Sequence, residues 1–440
     1  MNHSLVRRVL TLCAMVAFQV PVIASSDELD DIRGQLRDLV QRVDRLEHEN
    51  QVLRAQNEVL QAPASRQERS PPEVPAEKVE AASWASRVAF SGDLRYRHEQ
   101  ISDDTLNAQG ERTADRYRER LRARLSARAQ VTEDLSVGIG FATVEGGDPR
   151  SSNQTLDDVF SRKSVDLDLA YFDWAFVDGG HLIGGKMKQP FFKPGESLFW
   201  DSDVNPEGLA LAYKRGVLFG SAYGYWVDEV SAPENARTSD TMLYGGQIGA
   251  RLPIGESNLV VAAHYYDLSA GQGGAPFYNG NSNGNTTVDV GTPPTAVLLY
   301  DYQVLNLMTE FNSRWDAPWG AVPLQFWAEI GQNQDPDDLD TAWAAGFAFG
   351  DAADARTWQF GAAFHSVEKD ALFAQLIDAD LGGGVSDVNG WIVRAGYAPV
   401  KNLVLNATWF INHRNVDVPN VVGQTDVGYD RLQLDFNMKF

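Results

Sequence analysis

Cysteine is all but missing: Cys13 is the single one in 440 residues. It sits in an apolar stretch from Val9 to about Val22 that follows Arg7 and Arg8 and ends at Val22-Ile23-Ala24, the layout of an export signal cut near Ser25. Thr11-Leu12 is a poor approach to a lipoprotein site, so Cys13 reads as part of the signal and not as an acyl anchor. Removing residues 1–24 would leave no thiol, which excludes disulfides and thiol chemistry. Long apolar runs are also missing. No other segment reaches about eighteen consecutive apolar residues, which excludes a helical membrane protein. Positive charge is in deficit, with 38 Lys and Arg against 60 Asp and Glu. The net charge of −22 becomes −24 once Arg7 and Arg8 are lost, and that balance argues against nucleic acid as a partner.

Catalytic signatures are equally scarce. Neither a G-x-S-x-G nor a Walker sequence occurs. His98, His181, His264, His365 and His413 are scattered one to a strand or strand end, as isolated polar positions. No catalytic residue, metal or cofactor is therefore expected, and the chain reads as not an enzyme. Asp335–Asp340 reads as a solvated acidic loop, with a Ca²⁺ site as the lesser alternative. Gly271–Gly291, rich in Gly and Asn, reads as a flexible loop.

Against these absences, 43% of residues are apolar and 10% aromatic, enough for a large ordered body. They fall into three zones. In 27–61, Leu29, Ile32, Leu36, Leu39, Val43, Leu46, Asn50, Leu53, Asn57 and Leu60 follow the three-and-four spacing of a coiled coil. A helix of that kind cannot bury its apolar stripe alone, so the chain should be oligomeric. Residues 62–87 form a linker broken by Pro63, Pro71, Pro72 and Pro75. From 88 to 440 the period is two.

Sixteen strands are expected: 88–99, 116–131, 134–144, 164–177, 180–190, 207–214, 217–227, 241–252, 257–267, 299–313, 322–332, 341–350, 355–366, 388–398, 401–413 and 428–440. Connections after even strands are short, as at Thr132-Glu133 and Asp178-Gly179, and most of those after odd strands are long. Short turns at one rim and long loops at the other describe an all-β, sixteen-stranded antiparallel transmembrane barrel. The last strand carries Leu432, Leu434, Phe436, Met438 and Phe440 on one face and Arg431, Gln433, Asp435, Asn437 and Lys439 on the other, which suits lipid outside and water inside. Aromatic residues near strand ends, Tyr171, Trp174, Tyr223, Tyr225, Trp226, Tyr265, Tyr266, Trp315, Trp327, Trp391, Tyr397 and Trp409, suit interfacial girdles.

The second strand is the most unusual. Arg116, Arg118, Arg120, Arg122, Arg124 and Arg128 share one face, opposite Tyr117, Leu121, Ala123 and Leu125. Arginine facing lipid at midplane costs about 2–4 kcal/mol, so this face must meet water. Arg95 and Arg97 on the first strand, Lys186 and Lys188 on the fifth, and Arg431 and Lys439 on the last extend it into a column of fixed positive charge. Asp166 and Asp168 share an inward face of the fourth strand, opposite Val165, Leu167 and Leu169. Lys193, Glu196, Trp200, Asp201 and Asp203 belong to a loop near 191–206, long enough to fold inward and narrow the channel. Pairing of these acids and arginines into a bracing network is the alternative to a free charged lining, and it is compatible with a pore.

Asp93-Leu-Arg-Tyr-Arg97, the Arg116–Arg128 strand, Ser152–Leu156, Asp166–Trp174, Gly184–Phe191, Trp200–Asp203 and the terminal strand together resemble the Gram-negative outer-membrane porins that carry a periplasmic coiled coil before a sixteen-strand barrel, relatives of the phosphate- and carbohydrate-type porins. The resemblance covers nearly the whole mature chain and implies a trimeric porin for passive diffusion. The basic column resembles the arginine ladder of anion-selective relatives, while their phosphate-holding lysine cluster has no clear counterpart. The expected partners are two further copies of the chain, outer-membrane lipid and lipopolysaccharide, small hydrophilic solutes, and peptidoglycan if the coiled coil reaches it. The rival readings are a cell-wall tether with a plugged barrel and, less favoured, an outer-membrane hydrolase.

Overall fold

The computed structural model describes residues 86–230, 240–269, 271–291, 294–318 and 320–440. The expected export signal, the coiled coil and nearly all of the Pro-rich linker lie outside the described residues.

Sixteen long strands follow in order: β1 (Val88–Asp103), β2 (Arg116–Gln130), β3 (Leu135–Val144), β4 (Ser164–Val177), β5 (Gly180–Lys186), β6 (Glu207–Arg215), β7 (Leu218–Asp228) and β8 (Thr241–Ile254). The second half comprises β9 (Ser257–Leu268), β10 (Tyr302–Ala317), β11 (Gly320–Asn333), β12 (Thr341–Gly350), β13 (Thr357–Val367), β14 (Val388–Val400), β15 (Leu403–Arg414) and β16 (Val427–Lys439). Each pairs antiparallel with its neighbours, and β1 pairs with both β2 and β16, so the sheet closes with no free edge. A two-residue segment, Gln154–Thr155, pairs with β2 where β3 has already ended. Loop residues 287–290 and 295–298 form a separate small hairpin.

Every expected strand is present, with ends displaced. The first runs on to Asp103, and the tenth spans Tyr302–Ala317 in place of 299–313. The fifth stops at Lys186 and not at 190, because the chain leaves the wall there and turns into the lumen, Met187 N–H donating to the Pro206 carbonyl. Lys188 is thus a loop residue, not a strand residue. At the short-turn rim, Gly179 sits in the left-handed region (φ 73°), and a Cβ there would strike the Lys214 carbonyl, so only glycine closes that turn.

Two expectations about facing are corrected. Opposite Gly140 and Phe141 of β3 stand Leu169 and Leu167, which leaves Asp168 as the extra residue of a β-bulge. The bulge resets the phase of β4, so Leu169 lines the lumen beside Asp168 and not the opposite face. The second concerns the aromatics. Trp174, Trp226, Tyr265, Trp391, Tyr397 and Trp409 are exposed on the outside, but Tyr223, Tyr225, Tyr266 and Trp327 point inward and are buried. They form an apolar core with Leu198, Phe199, Trp200, Leu372, Phe373 and Ile377, residues of two loops that enter the barrel. Nor is 271–291 the loose segment its composition suggests. Asn283 and Asn285 are buried, and Asn285 Nδ2 donates to the Lys369 and Leu372 carbonyls, both at 3.0 Å.

Candidate functional site

The β1–β2 register places Glu99 opposite Arg118, Arg97 opposite Arg120, Arg95 opposite Arg122 and Asp93 opposite Arg124. Two of those rows set arginine against arginine, which repels unless carboxylates intervene. They do. Arg118 Nε donates to Glu99 at 2.6 Å, and Arg120 reaches Glu145 at 3.3 Å and the Asn153 carbonyl at 3.0 Å. Arg122 meets Asp93 at 2.7 Å. Arg124 bridges Asp93 at 2.8 Å and Asp203 at 3.0 Å. Arg97 holds Asp435 at 2.6 Å and Asp380 at 3.2 Å, and Arg431 also pairs with Asp380. Arg95 donates to Asn437 at 2.8 Å, with Asp435 at 3.7 Å.

The register thus brings these arginines together in one column, and each central one meets a carboxylate where it stands. Its ends leave the pattern: Arg116 is exposed at the long-loop rim, and Arg128 is largely exposed near the other rim, bonded to Asp173 at 3.1 Å. Lys186 pairs with Glu207 at 2.9 Å. Lys188 and Lys439 line the lumen without an ion pair among the described residues. Asp168 accepts a 2.6 Å hydrogen bond from Asn205, and Asp166 is exposed opposite Ala142, on the row of Arg124.

The loop 187–206 crosses the barrel. Phe192 exchanges two hydrogen bonds of 2.8 Å with the Gln247 side chain on β8, and Gly195 N–H donates to Glu310 on β10 at 2.7 Å. Gly195 has φ 45° and lies against the Trp327 indole, so no larger residue fits. The loop then returns to the ladder, where Asp203 takes Arg124 and the Ser152 hydroxyl (2.8 Å). Lys193 donates to the Trp200 carbonyl at 2.7 Å and Ser202 at 2.9 Å. Glu196 at the tip meets Arg394 of β14 at 3.1 Å. Trp200, expected at the constriction, is instead packed into the apolar core against Phe191 and Tyr266.

A second inward loop, 368–387, carries residues that sequence reasoning missed. It is stitched to the first: Asp201 N–H donates to the Leu376 carbonyl at 2.7 Å, Asp378 N–H to Leu198 at 3.0 Å, and Ala379 N–H to the Asp201 carboxylate at 3.0 Å. From a third loop, buried Arg150 donates to the Ala374 and Gly384 carbonyls at 3.2 and 2.9 Å. Burial, with Asp378 and Asp203 beside it, raises the Asp201 carboxyl well above its ordinary value. Burial and Asp380 push Asp378 up to about 6. Burial would raise Asp380 too, but Arg431 and Arg97 outweigh it and hold that carboxyl below the ordinary range. Alternation on the expected strands would have found Asp93, Glu99 and Asp435. Nothing local in the sequence marks Arg150, Asp378 or Asp380.

Between the ladder and the loops lies a cavity of about 960 Å³. Its far wall carries Gln325, Gln359, Asn406 and Thr408, neutral hydrogen-bonding groups, and its acids and bases are nearly equal in number. Such a lining offers hydrogen bonds to polar groups and carries little net charge. Among the described residues no three His, Cys, Asp or Glu gather around a common metal position.

A family model described as "Putative porin" matches residues 102–297 and 299–440. Among solved structures, Pseudomonas putida OprB is similar at TM-score 0.53 and 13% identity, over 83% of this chain and 97% of that one. The trimer form of OmpT, an outer membrane protein of Vibrio cholerae, gives TM-score 0.42 at 13% identity, over 80% of this chain and 99% of that one. A triple mutant of the Rhodopseudomonas blastica porin gives 0.42 at 10% identity, over 80% and 100%. No curated protein matches the sequence.

Proposed function

The chain belongs to the "Putative porin" family and is an outer-membrane porin, and from that premise we propose how its lumen works. Small hydrophilic solutes and ions cross by passive diffusion between the ladder of β1, β2 and β16 and the loops 187–206 and 368–387. The first loop is the constriction expected from the sequence. The second narrows the same passage, and Asp380 fastens it to the wall. Arg95, Arg97, Arg120, Arg122 and Arg124 line the path as members of ion pairs, so selectivity is weak and set by the small local excess at Lys188 and Lys439. The observation that carries this reading is the cavity bounded by both charged wall and loops.

Short turns face the periplasm in this reading, which puts the coiled-coil pattern of 27–61 on the periplasmic side, where it joins the chains as a trimer and comes within reach of peptidoglycan. Outer-membrane lipid and lipopolysaccharide surround the barrel. The protein transports and catalyses no reaction. Purified protein in a planar bilayer should conduct in discrete steps and should swell liposomes with small sugars or amino acids. The packed core inside the barrel favours the plugged-tether reading as the alternative. Intact oligomers without conductance would establish that alternative and overturn the porin mechanism.

A further inference from the structure

Beneath the loop that crosses the barrel, the far wall carries polar atoms that no protein group meets. Glu329 of β11 stands opposite Ala344 of β12, and Ala344 opposite His365 of β13. The acid and the imidazole therefore share one inward row with a methyl group between them. Two strand spacings separate their backbones by about 10 Å. Both side chains are buried, Glu329 at 5% and His365 at 0% exposure. The Glu329 carboxyl bonds the Ser197 side chain of the loop. Its Oε1 has no partner among the described residues, and neither ring nitrogen of His365 has one. Asn306 of β10 adds a fourth such atom. It lies over Gly331, two residues from Glu329 on the same face, and its Oδ1 is likewise unmet.

The surroundings supply no relief. His365 is walled by Phe199 and Trp327, with ring centroids 6.3 and 5.7 Å away. Nearby cations are committed elsewhere, Lys193 to the Trp200 carbonyl and Ser202, and Arg394 to Glu196. The other buried histidine, His264, is matched, with the Tyr223 hydroxyl 2.9 Å from its Nε2. A buried polar atom left bare is costly, and an imidazole always has an N–H to give. Donor and acceptor atoms thus stand on both sides of a space floored only by the Ala344 methyl. Water suits such a set, since a buried water takes two to four polar partners. A metal ion does not, because no third His, Cys, Asp or Glu joins the pair among the described residues.

We propose that Glu329, His365 and Asn306 hold ordered water under the loop 187–206, and that this hydrated seat positions the loop through Glu329. Water joins Oε1 to the imidazole and so fixes the carboxyl with its other oxygen turned to Ser197. Phe192 and Gly195 rest directly on Gln247 and Glu310, which gives the loop two dry footings and a wet one. The three residues are positioning residues that solute does not touch. The inference rests on the reading of this loop as the constriction.

A crystal structure of the full-length protein at a resolution that shows ordered water tests the site with no substitution. Density for water within hydrogen-bond reach of Glu329 Oε1 and a His365 nitrogen is expected. A dry gap, or the two side chains in direct contact, would overturn the site. Thermal melting gives a second reading. Glu329→Leu and His365→Phe should each lower Tm, and the double variant should lose less than the sum, because either change alone strands the remaining partner. Additive losses would contradict a shared water. In planar bilayers both single variants should raise open-channel noise as the loop loses a footing, while Glu329→Gln, which keeps an oxygen for Ser197, should stay as quiet as the unaltered protein. Equal noise in Glu329→Gln and Glu329→Leu would overturn the positioning role. An unaltered protein that conducts nothing would instead remove the constriction reading, and the density and the melting cycle would still decide the site.

Discussion

The two halves of the lumen solve opposite problems. The wall of β16, β1 and β2 is built from arginines that face water because lipid would not accept them, and every central one has a carboxylate partner. The half opposite is built from Tyr223, Tyr225, Tyr266, Trp327 and loop residues that shun water and pack as the interior of a soluble protein does. One half holds solvent and the other expels it. The difference teaches that an even alternation of polar and apolar residues does not by itself mark the lumen as open. Inward loops decide which inward positions are wet.

The comparison breaks most plainly by removing the second inward loop. Replacing residues 371–384 by a Gly-Ser linker should raise single-channel conductance several-fold, since the apolar half would lose its filling. An unchanged conductance in a barrel that still migrates as folded would show that this loop lies outside the path.

Next come paired substitutions in the two halves. Arg97→Ala strips buried Asp435 of its 2.6 Å partner and leaves Asp380 to Arg431 alone, and should cost about 3 kcal/mol in thermal unfolding. Trp327→Ala, a large cavity in a packed core, should cost about 3–5 kcal/mol as well. Only the first should also move the reversal potential in a salt gradient, toward cation preference. Equal electrical effects from both would erase the distinction between the halves.

How far this was visible in the sequence follows from the physics of each half. All sixteen strands and both rims were legible because lipid imposes a two-residue period that no tertiary contact overrides. The Arg116–Arg128 strand announced its facing for the same reason. The packed half was not legible: inward Tyr225 and outward Trp226 are neighbours, and only the third dimension separates core from girdle. The β4 bulge at Asp168 was hidden because one extra residue inverts phase without changing composition. The loop 368–387 gave no sign of entering the barrel, since its acidic residues look like those of any solvated loop. Its meaning comes from Arg97 and Arg431, which lie far away in sequence.

A smaller effect should appear with pH at the seam between the loops. The carboxyl of Asp378 is raised from 3.8 to about 6 when docked, so docking takes up a proton. That stabilisation is complete below 3.8 and is lost as pH rises through about 6. Asp380 has the opposite sign: its contribution is fully present above 3.8 and is lost as pH falls from there through its lowered value. Conductance should therefore fall between pH 7.5 and pH 5 as the loops tighten, and Asp378→Asn should flatten the profile. A profile that rises toward acid would contradict the sign. The smallest change belongs to Arg116, exposed at the rim: Arg116→Ala should stay within about 0.5 kcal/mol and leave conductance untouched.

The central claim is that the arginine ladder lines the open path and is neutralised there by its own partners. It is tested most directly by the reversal potential under a KCl gradient, for the unaltered protein and for one carrying Arg120→Ala, Arg122→Ala and Arg124→Ala together. The unaltered channel should sit near zero with a slight anion preference. The triple variant, left with Asp93, Glu145 and Asp203 unmatched, should swing clearly to cations. An identical reversal potential in the two proteins would mean that ions do not pass the ladder.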